Sequence, residues 1–386
     1  MKLFVVSHAC VLPINQGFFA AVEALTGWSL SLVVPSVWKN EYTAHIAPQR
    51  NPALKGAIHS LPVWRAGSVP AHLYKSAFVS LLRREKPDAI YVHHEPYGLA
   101  TSQVYLANAL GRNVPIGFYT AQNIFKPRPL PISILERFVL ARSTFSFPVT
   151  EGARTVLQEK GYRGVAEVLP LPVDLEVYER KPAEALQIRE KLGIAPGEFV
   201  IGYLGRLVPE KGLLTLMRAL AVIAEQRWTC VIAGAGELEP ELRAEIHRLQ
   251  LTGRVLLVGY VPHPDAPQWM SAFDVLVLAS ETTSSWKEQF GRVLLEANAC
   301  GTAVVGSECG EIPNVIQSTQ GGLVVPEKDP ERLAAALLEL LQQPQRRLQL
   351  AEQGRLAVLR DYEQSHLAAR FSHVIEQAVQ RPTGKR

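Results

Sequence analysis

Short runs of β-branched and aromatic residues alternate with amphipathic helical runs along most of the chain. In the first third, the pattern predicts strands at 3–7, 30–34 and 89–93 and helices at 17–25, 72–86 and 98–110. Further strands are predicted at 116–120, 144–150, 167–171, 199–204, 228–233, 255–258, 274–278, 302–305 and 321–326. Such alternation is typical of parallel strands joined by crossover helices, so we predict an α/β chain with doubly wound sheets. Ligands of such sheets bind beyond the carboxyl ends of the strands.

The length and composition are typical of a soluble globular protein. A chain of 386 residues suggests two to three domains, and its 47% hydrophobic and 20% charged residues are ordinary for globular proteins. No apolar run approaches the roughly 18–20 residues of a membrane span. The N-terminal apolar run is too short for a secretion signal, so we expect a cytoplasmic protein. Four cysteines without a CxxC pair suggest buried, reduced thiols and argue against a zinc site.

The net charge of +4 is divided unevenly. Residues 1–173 contain 17 Lys and Arg against 9 Asp and Glu, a net of +8, whereas the remainder has a net of −4. This asymmetry suggests two domains with different partners. The basic half is suited to a charged acceptor or an anionic membrane surface. We expect no nucleic-acid partner.

The stretch 285–307 has the strongest local pattern. It begins polar, turns at Gly291, continues as an amphipathic helix and ends in a β-branched strand. Two carboxylates, Glu288 and Glu296, bracket the helix start with seven residues between them. The unpaired N–H groups at the helix start suit a phosphate, and Glu296 can accept hydrogen bonds from a sugar diol. An ordinary βαβ unit with a capped helix is the alternative.

The segment EQFGRVLLEANACGTAVVGS resembles the Glu-x7-Glu signature of retaining GT-B glycosyltransferases of the family-4 type, the glycosyl transferases group 1. The resemblance implies that Glu288 contacts the transferred sugar and that Glu296 binds the nucleotide ribose. It also implies that the turn and the helix start hold the diphosphate, with the N–H groups of Val293 and Leu294 on phosphate. In this segment the resemblance implies the donor-binding residues Gly291, Arg292, Val293, Leu294 and Glu296.

A second motif follows the predicted strand at 199–204. It runs from Gly205 to Gly212 and contains two cations five residues apart, Arg206 and Lys211. Arg206 offers planar, bidentate donors and Lys211 a mobile point charge, which together suit a pyrophosphate. A solvated loop with chance charges is the alternative.

In the resembling family this Arg and Lys neutralise the diphosphate leaving group, so the resemblance implies catalytic roles for Arg206, Lys211 and Glu288. It implies neither a metal nor another cofactor, which agrees with the lack of a DxD-like carboxylate pair at a strand end. It also places the Tyr260 loop against the nucleotide base.

Polar side chains after three strands of the first domain are candidate acceptor contacts. Asn15 lies where many family members have a Gly-Gly pair, and a purely structural loop is equally compatible. His94 and Glu95 suit an acceptor hydroxyl or a proton relay, although Glu95-Pro96 is also ordinary helix-entry chemistry. Gln122 and Asn123 stand where family members commonly have a histidine near the transferred sugar. The role of that histidine therefore has no counterpart in this chain.

The Pro-rich segment LPLPVD resembles the family's interdomain hinge, and in that family the final helix packs back onto the first domain. We therefore expect a GT-B fold with two Rossmann-like domains facing each other across a cleft. The acceptor-binding domain is expected at 1–173 plus 364–386, and the donor-binding domain at 174–363. The tail from Arg381 is expected to fray.

The implied activity is retaining transfer of a hexose-type sugar from a UDP- or GDP-sugar to a carbohydrate or lipid-linked acceptor, in polysaccharide or glycolipid synthesis. Residues 126–142 are basic and apolar, which indicates either peripheral contact with the inner face of the membrane or a core helix with a solvated face. The alternatives are a GT-B epimerase or phosphorylase and a non-catalytic nucleotide-sugar binding protein. The missing histidine favours the binding protein, and the four intact site residues argue against it.

Overall fold

The computed structural model describes residues 1–39 and 45–380 of the chain. The chain divides into two compact units, residues 1–172 with 364–386 and residues 173–363. The tail that was expected to fray, 381–386, lies outside the described residues. Within the described ranges, no helix has both the length and the apolar character that a membrane crossing requires.

The first unit is built on one parallel sheet. Its strands are β1 (Lys2–Val6), β2 (Ser29–Pro35), β5 (Ala57–Leu61), β8 (Ala89–Val92), β9 (Ile116–Thr120), β10 (Phe145–Pro148) and β11 (Val165–Ala166). Two short antiparallel ladders accompany it, β3 (Trp38–Lys39) with β4 (His45–Ile46) and β6 (Val63–Trp64) with β7 (Leu73–Tyr74). The helices are α1 (Gly17–Thr26), α2 (Phe78–Glu85), α3 (Leu99–Leu110), α4 (Ile132–Arg142) and α5 (Glu151–Glu159).

The strand order of this sheet places a crevice beside its central strand. The order is β11-β10-β9-β8-β1-β2-β5, so the chain changes direction between the neighbours β1 and β8. Such a reversal is where doubly wound sheets bind ligands, at the carboxyl ends of the strands. His8 stands just after β1, and His93 and His94 follow β8 directly. These histidines therefore lie at the crevice of the first unit.

Two apolar cores cover the faces of this sheet. Successive side chains of β1 alternate between them, with Leu3 and Val5 in one core and Phe4 and Val6 in the other. This alternation follows from the two-residue period of a strand. Because both faces are covered by helices, the strand is a continuous apolar run in the sequence.

The second unit has the same kind of architecture. Its strands are β12 (Phe199–Leu204), β13 (Trp228–Ala233), β14 (Val255–Gly259), β15 (Val275–Leu278), β16 (Ala303–Ser307) and β17 (Gly322–Val325), all paired in parallel. Its helices are α6 (Pro182–Lys191), α7 (Leu213–Val222), α8 (Glu239–Arg248), α9 (Ala266–Ala272), α10 (Arg292–Ala299), α11 (Ile312–Thr319), α12 (Pro330–Gln342) and α13 (Pro344–Asp361). The strand order is β14-β13-β12-β15-β16-β17. The crevice therefore lies between β12 and β15.

The chain returns to the first unit through α14 (Gln364–Gln380). Phe371 is fully buried there, with its ring centroid 4.8 Å from that of Phe147 and 5.0 Å from that of Tyr91. Aromatic pairs at these separations pack favourably. The core of the first unit thus includes a helix from the end of the chain.

Two sequence predictions of local structure differ from the structure, and one strand was not predicted. The predicted helix at 72–86 begins only at Phe78, because Tyr74 pairs in a ladder and exchanges two backbone hydrogen bonds with the Gln103 side chain. The predicted strand at 167–171 is assigned to β11 at 165–166, and its backbone continues beside β10, where the N–H groups of Glu167 and Leu169 donate to Ser146 and Pro148. The strand β5 was not predicted, because its short run contains few β-branched residues. Its pairing with β2 decides its structure.

Candidate functional site

Two loops of the second unit meet at the crevice between β12 and β15. They are residues 205–212 after β12 and residues 279–291 after β15. At their contact, a Cβ on Gly212 would lie 1.8 Å from the carbonyl oxygen of Ala279. Gly212 also has a φ of 66°, in the left-handed region, so only glycine fits there. The predicted catalytic residues all come from these two loops.

Lys211 and Glu288 form an ion pair across the two loops. Lys211 Nζ lies 2.6 Å from Glu288 Oε2, and both side chains are mostly buried. Ser280 donates its hydroxyl to the same oxygen at 2.9 Å. The Glu288 backbone is held as well, because its N–H donates to Cys309 Sγ at 3.3 Å and its C=O accepts the Glu311 N–H at 3.2 Å. The structure therefore fixes the position of this carboxylate.

Trp286 faces this ion pair and is a residue that the sequence analysis missed. Lys211 Nζ lies 5.1 Å from the centroid of the indole ring. The backbone N–H of Trp286 donates to Thr283 Oγ1 at 3.0 Å, and the Thr282 hydroxyl donates to a Glu327 carboxylate oxygen at 2.6 Å. These bonds hold the loop that carries the ring. A tryptophan in a polar loop gives no local signal of what it faces.

Arg206 begins the loop after β12. Its carbonyl oxygen accepts the Tyr203 hydroxyl at 2.6 Å, which fixes the backbone. Its guanidinium is 38% exposed and lies 3.9 Å from a carboxylate oxygen of Glu210. A surface ion pair at this separation contributes little to stability, and the contact of Arg206 with a diphosphate stays a prediction.

The start of α10 carries the two N–H donors that were predicted to contact phosphate, those of Val293 and Leu294. Gly291 is the N-cap residue, with a φ of 77° and no side-chain cap. The Leu294 N–H donates to the Gly291 carbonyl oxygen at 2.9 Å. The N–H of Leu294 is thus engaged in the first turn, and its contact with phosphate stays a prediction. The N–H of Val293 is the remaining candidate of the pair.

Glu296 is buried on α10 with one unsatisfied oxygen. Arg292 Nε lies 2.9 Å from Glu296 Oε1, but the N–H direction does not suit a hydrogen bond, and within the described residues Oε1 accepts none. A buried oxygen in this state is costly. Burial raises the pKa of the Tyr178 phenol, and the nearby charge of Glu296 raises it further. The Tyr178 hydroxyl hydrogen-bonds to His263 Nδ1 at 2.7 Å.

The loops after β12, β13 and β14 are linked by their backbones. Gly205 donates its N–H to Ala233 at 3.0 Å, and Gly234 donates its N–H to Gly259 at 2.8 Å. Tyr260 follows β14 with a side chain that is 55% exposed. Its contact with a nucleotide base stays a prediction.

In the first unit, Glu95 braces the loops rather than presenting a carboxylate. Its two oxygens accept the Thr120 hydroxyl at 2.7 Å and the Ala121 N–H at 2.8 Å. Burial raises the pKa of Glu95, and these hydrogen bonds partly offset that rise. The loops after β8 and β9 are joined by these bonds. The structure thus gives Glu95 a positioning function, and its contact with an acceptor stays a prediction.

The three candidate amides are also engaged within their own surroundings. Asn15 donates to the Ala9 carbonyl oxygen at 2.8 Å. Gln122 donates to the Ile124 carbonyl oxygen at 3.0 Å and accepts from Lys160 Nζ at 2.9 Å. Asn123 is buried. These contacts stabilise loops, and acceptor binding by the amides stays a prediction.

His94 belongs to a cluster of three histidines. Its Nε2 accepts the His8 backbone N–H at 2.9 Å, and its ring centroid lies 4.8 Å from that of His8 and 4.9 Å from that of His72. Burial lowers the pKa of His8 to about 3 and also lowers the pKa values of His72 and His94, so the rings are neutral. The position of His8 just after the predicted strand β1 could have predicted its place at the crevice. Only the fold brings His72 to the same place.

Residues 185–357, within the second unit, match the family model described as glycosyl transferases group 1. The 2-deoxystreptamine glucosyltransferase of Streptomyces kanamyceticus is 28% identical over 218 residues, which is 55% of each chain. The GDP-mannose-dependent alpha-(1-6)-phosphatidylinositol monomannoside mannosyltransferase of Mycobacterium tuberculosis is 28% identical over 248 residues, covering 63% of this chain and 64% of the relative. The chain thus spans between about half and two thirds of these relatives' length.

Likeness to solved structures extends over nearly the whole chain. Anabaena HepE, crystallised in complex with UDP and glucose, matches with a TM-score of 0.73 over 97% of this chain and 99% of that one, at 20% identity. At this identity the likeness shows the fold, which is two Rossmann-like domains of the GT-B type. The second unit thus resembles the glycosyl transferases group 1 over residues 185–357.

Proposed function

We propose that the protein is a retaining glycosyltransferase that moves a hexose-type sugar from a UDP- or GDP-sugar to an acceptor hydroxyl. The observation that carries the proposal is the 2.6 Å ion pair between Lys211 and Glu288 at the crevice of the second unit. In this proposal residues 174–363 bind the donor, and residues 1–173 with 364–386 bind the acceptor. The family match within the second unit supports the donor assignment.

The donor diphosphate is assigned to the cations and to the start of α10. Arg206 and Lys211 would neutralise its charge, assisted by the N–H of Val293 and by the positive end of the helix dipole at Gly291. The buried Oε1 of Glu296 would accept a hydrogen bond from a ribose hydroxyl, which satisfies an oxygen that lacks a donor among the described residues. The exposed Tyr260 loop would lie against the base.

Transfer then needs a stabilised leaving group. The bond between the anomeric carbon and the phosphate oxygen breaks, and a bond from that carbon to the acceptor oxygen forms on the same face. The acceptor proton passes to the departing phosphate, which leaves as part of the nucleoside diphosphate. Arg206 and Lys211 stabilise the charge that develops on this phosphate. Glu288 holds the sugar hydroxyls and is not assigned as a nucleophile.

The acceptor is assigned to the first unit, whose basic excess suits an anionic or lipid-linked molecule. The mannosyltransferase relative is named for action on a phosphatidylinositol mannoside, which supports a role in glycolipid or polysaccharide synthesis. Near α4, Leu130 and Ile134 are strongly exposed beside the exposed Arg137. This combination supports peripheral contact with an anionic membrane, at the cytoplasmic face.

A donor panel tests the proposal. Full-length protein is incubated with UDP-, GDP- and ADP-sugars without added metal, and we follow nucleoside diphosphate release and protection against thermal unfolding. We expect one donor to stabilise the protein and to be slowly hydrolysed, with faster release when an acceptor is present. NMR of the product checks retention at the anomeric carbon.

The same panel separates the alternatives. Stabilisation without release, even with cell-extract acceptors, would favour a binding protein. Conversion of the donor sugar to its epimer without an acceptor would indicate an epimerase, and a lysine-bound pyridoxal phosphate chromophore would indicate a phosphorylase. A complete lack of response to all donors would refute the proposed function.

A further inference from the structure

The crevice of the first unit holds a cluster of buried ring nitrogens. His8 follows β1 and His94 follows β8, the two strands between which the sheet order reverses. His72 reaches the same place from the segment before β7. Trp38 closes one side, with its ring centroid 4.7 Å from that of His8 and 5.0 Å from that of His72. A position at the strand reversal is where a ligand is expected in this class of sheet.

Each of the three rings has a buried nitrogen without a partner among the described residues. These atoms are His8 Nδ1, His72 Nε2 and His94 Nδ1. One ring nitrogen of each histidine lies within 4.8 Å of one ring nitrogen of each of the other two. Three buried polar atoms without partners in one cluster are unusual, because leaving each one unpaired costs free energy. A bound ligand would satisfy them.

The hydrogen bonds of His72 orient its ring so that Nε2 is suited to bind a metal ion. Its Nδ1 lies 3.1 Å from the Ser68 carbonyl oxygen and 3.0 Å from the Val69 carbonyl oxygen, so Nδ1 carries the proton. The lone pair of Nε2 then points away from these carbonyls. An N–H held on a backbone carbonyl is the usual support of a metal-bound histidine, because it fixes both tautomer and ring orientation.

We propose that His8, His72 and His94 form a binding site for one divalent transition-metal ion, such as Zn²⁺, Co²⁺ or Ni²⁺. Neutral imidazoles are suited to these ions. Three histidines leave a fourth position for water or another ligand. The site belongs to the first unit, whereas the diphosphate-binding residues are proposed in the second.

Occupation requires two local adjustments. Zinc–nitrogen bonds of about 2.0–2.1 Å place tetrahedral ligand nitrogens about 3.4 Å apart, so nitrogens now up to 4.8 Å apart must draw together. His94 Nε2 accepts the His8 N–H in the metal-free form, so its Nδ1 carries a proton. Binding through Nδ1 requires the other neutral tautomer, in which the proton moves to Nε2 at the expense of this hydrogen bond.

Metal titration of tag-free, full-length protein tests the site. The protein is stripped with a chelator, dialysed, and titrated with Co²⁺ and Zn²⁺, with bound metal measured by elemental analysis and the Co²⁺ geometry by visible absorption. We expect one equivalent in the wild type, a tetrahedral Co²⁺ spectrum and a raised Tm. In His72→Ala the affinity should fall more than about tenfold, since loss of a supporting group alone costs 10–100-fold.

The matched control is His247→Ala, which removes an exposed histidine at the end of α8 and should bind metal as the wild type does. If His72→Ala does not fold, as judged by circular dichroism, His8→Ala provides the same test at the partly exposed member of the cluster. Wild-type protein that retains no metal at micromolar concentrations would overturn the proposal, because water would then be the occupant. Equal binding by a folded cluster variant would also overturn it. Neither result depends on transferase activity.

Discussion

Lys211 Nζ lies 2.6 Å from Glu288 Oε2, so a lysine from the loop after β12 and a glutamate from the loop after β15 meet at the crevice of the second unit. Both side chains are mostly buried, and removal of either partner would leave the other charge poorly compensated. The pair therefore joins the two loops. It also keeps a cation and a carboxylate side by side where the sugar diphosphate is proposed to bind.

Lys211→Met should lower kcat by about 10²–10³, because it removes one contact to the charge that develops on the leaving phosphate. Steady-state kinetics with the donor identified in the panel measure this effect. The control is Lys191→Met, which changes an exposed lysine at the end of α6 and should leave turnover unaffected. Arg206→Ala is expected to behave like Lys211→Met. Undiminished turnover in either folded variant would refute the proposed diphosphate clamp.

Glu296→Ala should raise the donor KM by about 10–100-fold, because a hydrogen bond to a charged group contributes about 1.5–3 kcal/mol. The effect on kcat should be smaller, since the ribose is remote from the reacting carbon. A donor with 2′-deoxyribose and one with 3′-deoxyribose provide the control. The wild type should discriminate against at least one of them, and the variant should not. Full discrimination in Glu296→Ala would exclude the ribose contact.

Trp286→Ala should lower kcat/KM by about two- to fivefold, because a partly exposed cation–π contact contributes about 0.5–1 kcal/mol. Trp286→Phe retains a ring over Lys211 and should lose less. Donor titrations followed by tryptophan fluorescence give a second measurement, in which the Phe variant should lose most of the ligand-dependent change. If the ligand-dependent fluorescence change in Trp286→Phe were as large as in the wild type, the Trp286 ring would not face the donor.

Glu85→Gln should reduce the stability of the first unit in a pH-dependent manner. Burial raises the pKa of Glu85, but hydrogen bonds from Lys2 and Ser31 and the charges of His59 and Lys2 outweigh it and bring the pKa from 4.5 to about 2. Because the folded-state pKa is depressed, the stabilisation is complete above pH 4.5 and is lost as the pH falls toward 2. Lys2 is about one third exposed, so screening limits the loss at pH 7 to about 1–2 kcal/mol.

Urea unfolding of the wild type and Glu85→Gln between pH 7 and pH 3.5 measures this difference. The gap in unfolding free energy should be constant from pH 7 to about 5 and should narrow below pH 4.5. Glu159→Gln, at an exposed position near the end of α5, is the matched control with no expected gap. A gap that stays constant down to pH 3.5 would contradict the assigned pKa direction.

Phe371→Ala should destabilise the first unit by about 3–5 kcal/mol, the usual cost of removing a fully buried phenylalanine. Hydrogen exchange followed by mass spectrometry should show faster exchange in β1, β8 and β10 and little change in β12–β16. Leu106→Ala, which truncates an exposed leucine on α3, is the control. Equal acceleration in both units would mean that α14 is not specific to the core of the first.

Much of the architecture follows from local sequence patterns. The strands Ile116–Thr120, Phe199–Leu204 and Trp228–Ala233 are predicted with the same bounds that the structure has. Buried parallel strands are continuous β-branched and aromatic runs bounded by turn residues, so the signal lies within each segment. The turn at Gly291 was predictable for the same reason, since glycine tolerates the left-handed backbone that precedes α10. The sequence also placed Glu288 ahead of that helix, as the structure does.

What the sequence could not determine depends on contacts between distant segments. Glu95 resembles a ligand in a strand-end loop, yet the fold uses it to brace the neighbouring loop, and Gln122 bonds within its own loop. His72 and Trp286 have no distinctive local context, and only the packed structure places one beside His94 and the other over Lys211. Local patterns determine which segments become strands and helices, because hydrophobic period and turn chemistry act over a few residues. Which polar side chains remain available to a ligand was decided by tertiary packing, because burial forces each polar group to find a partner wherever the fold provides one.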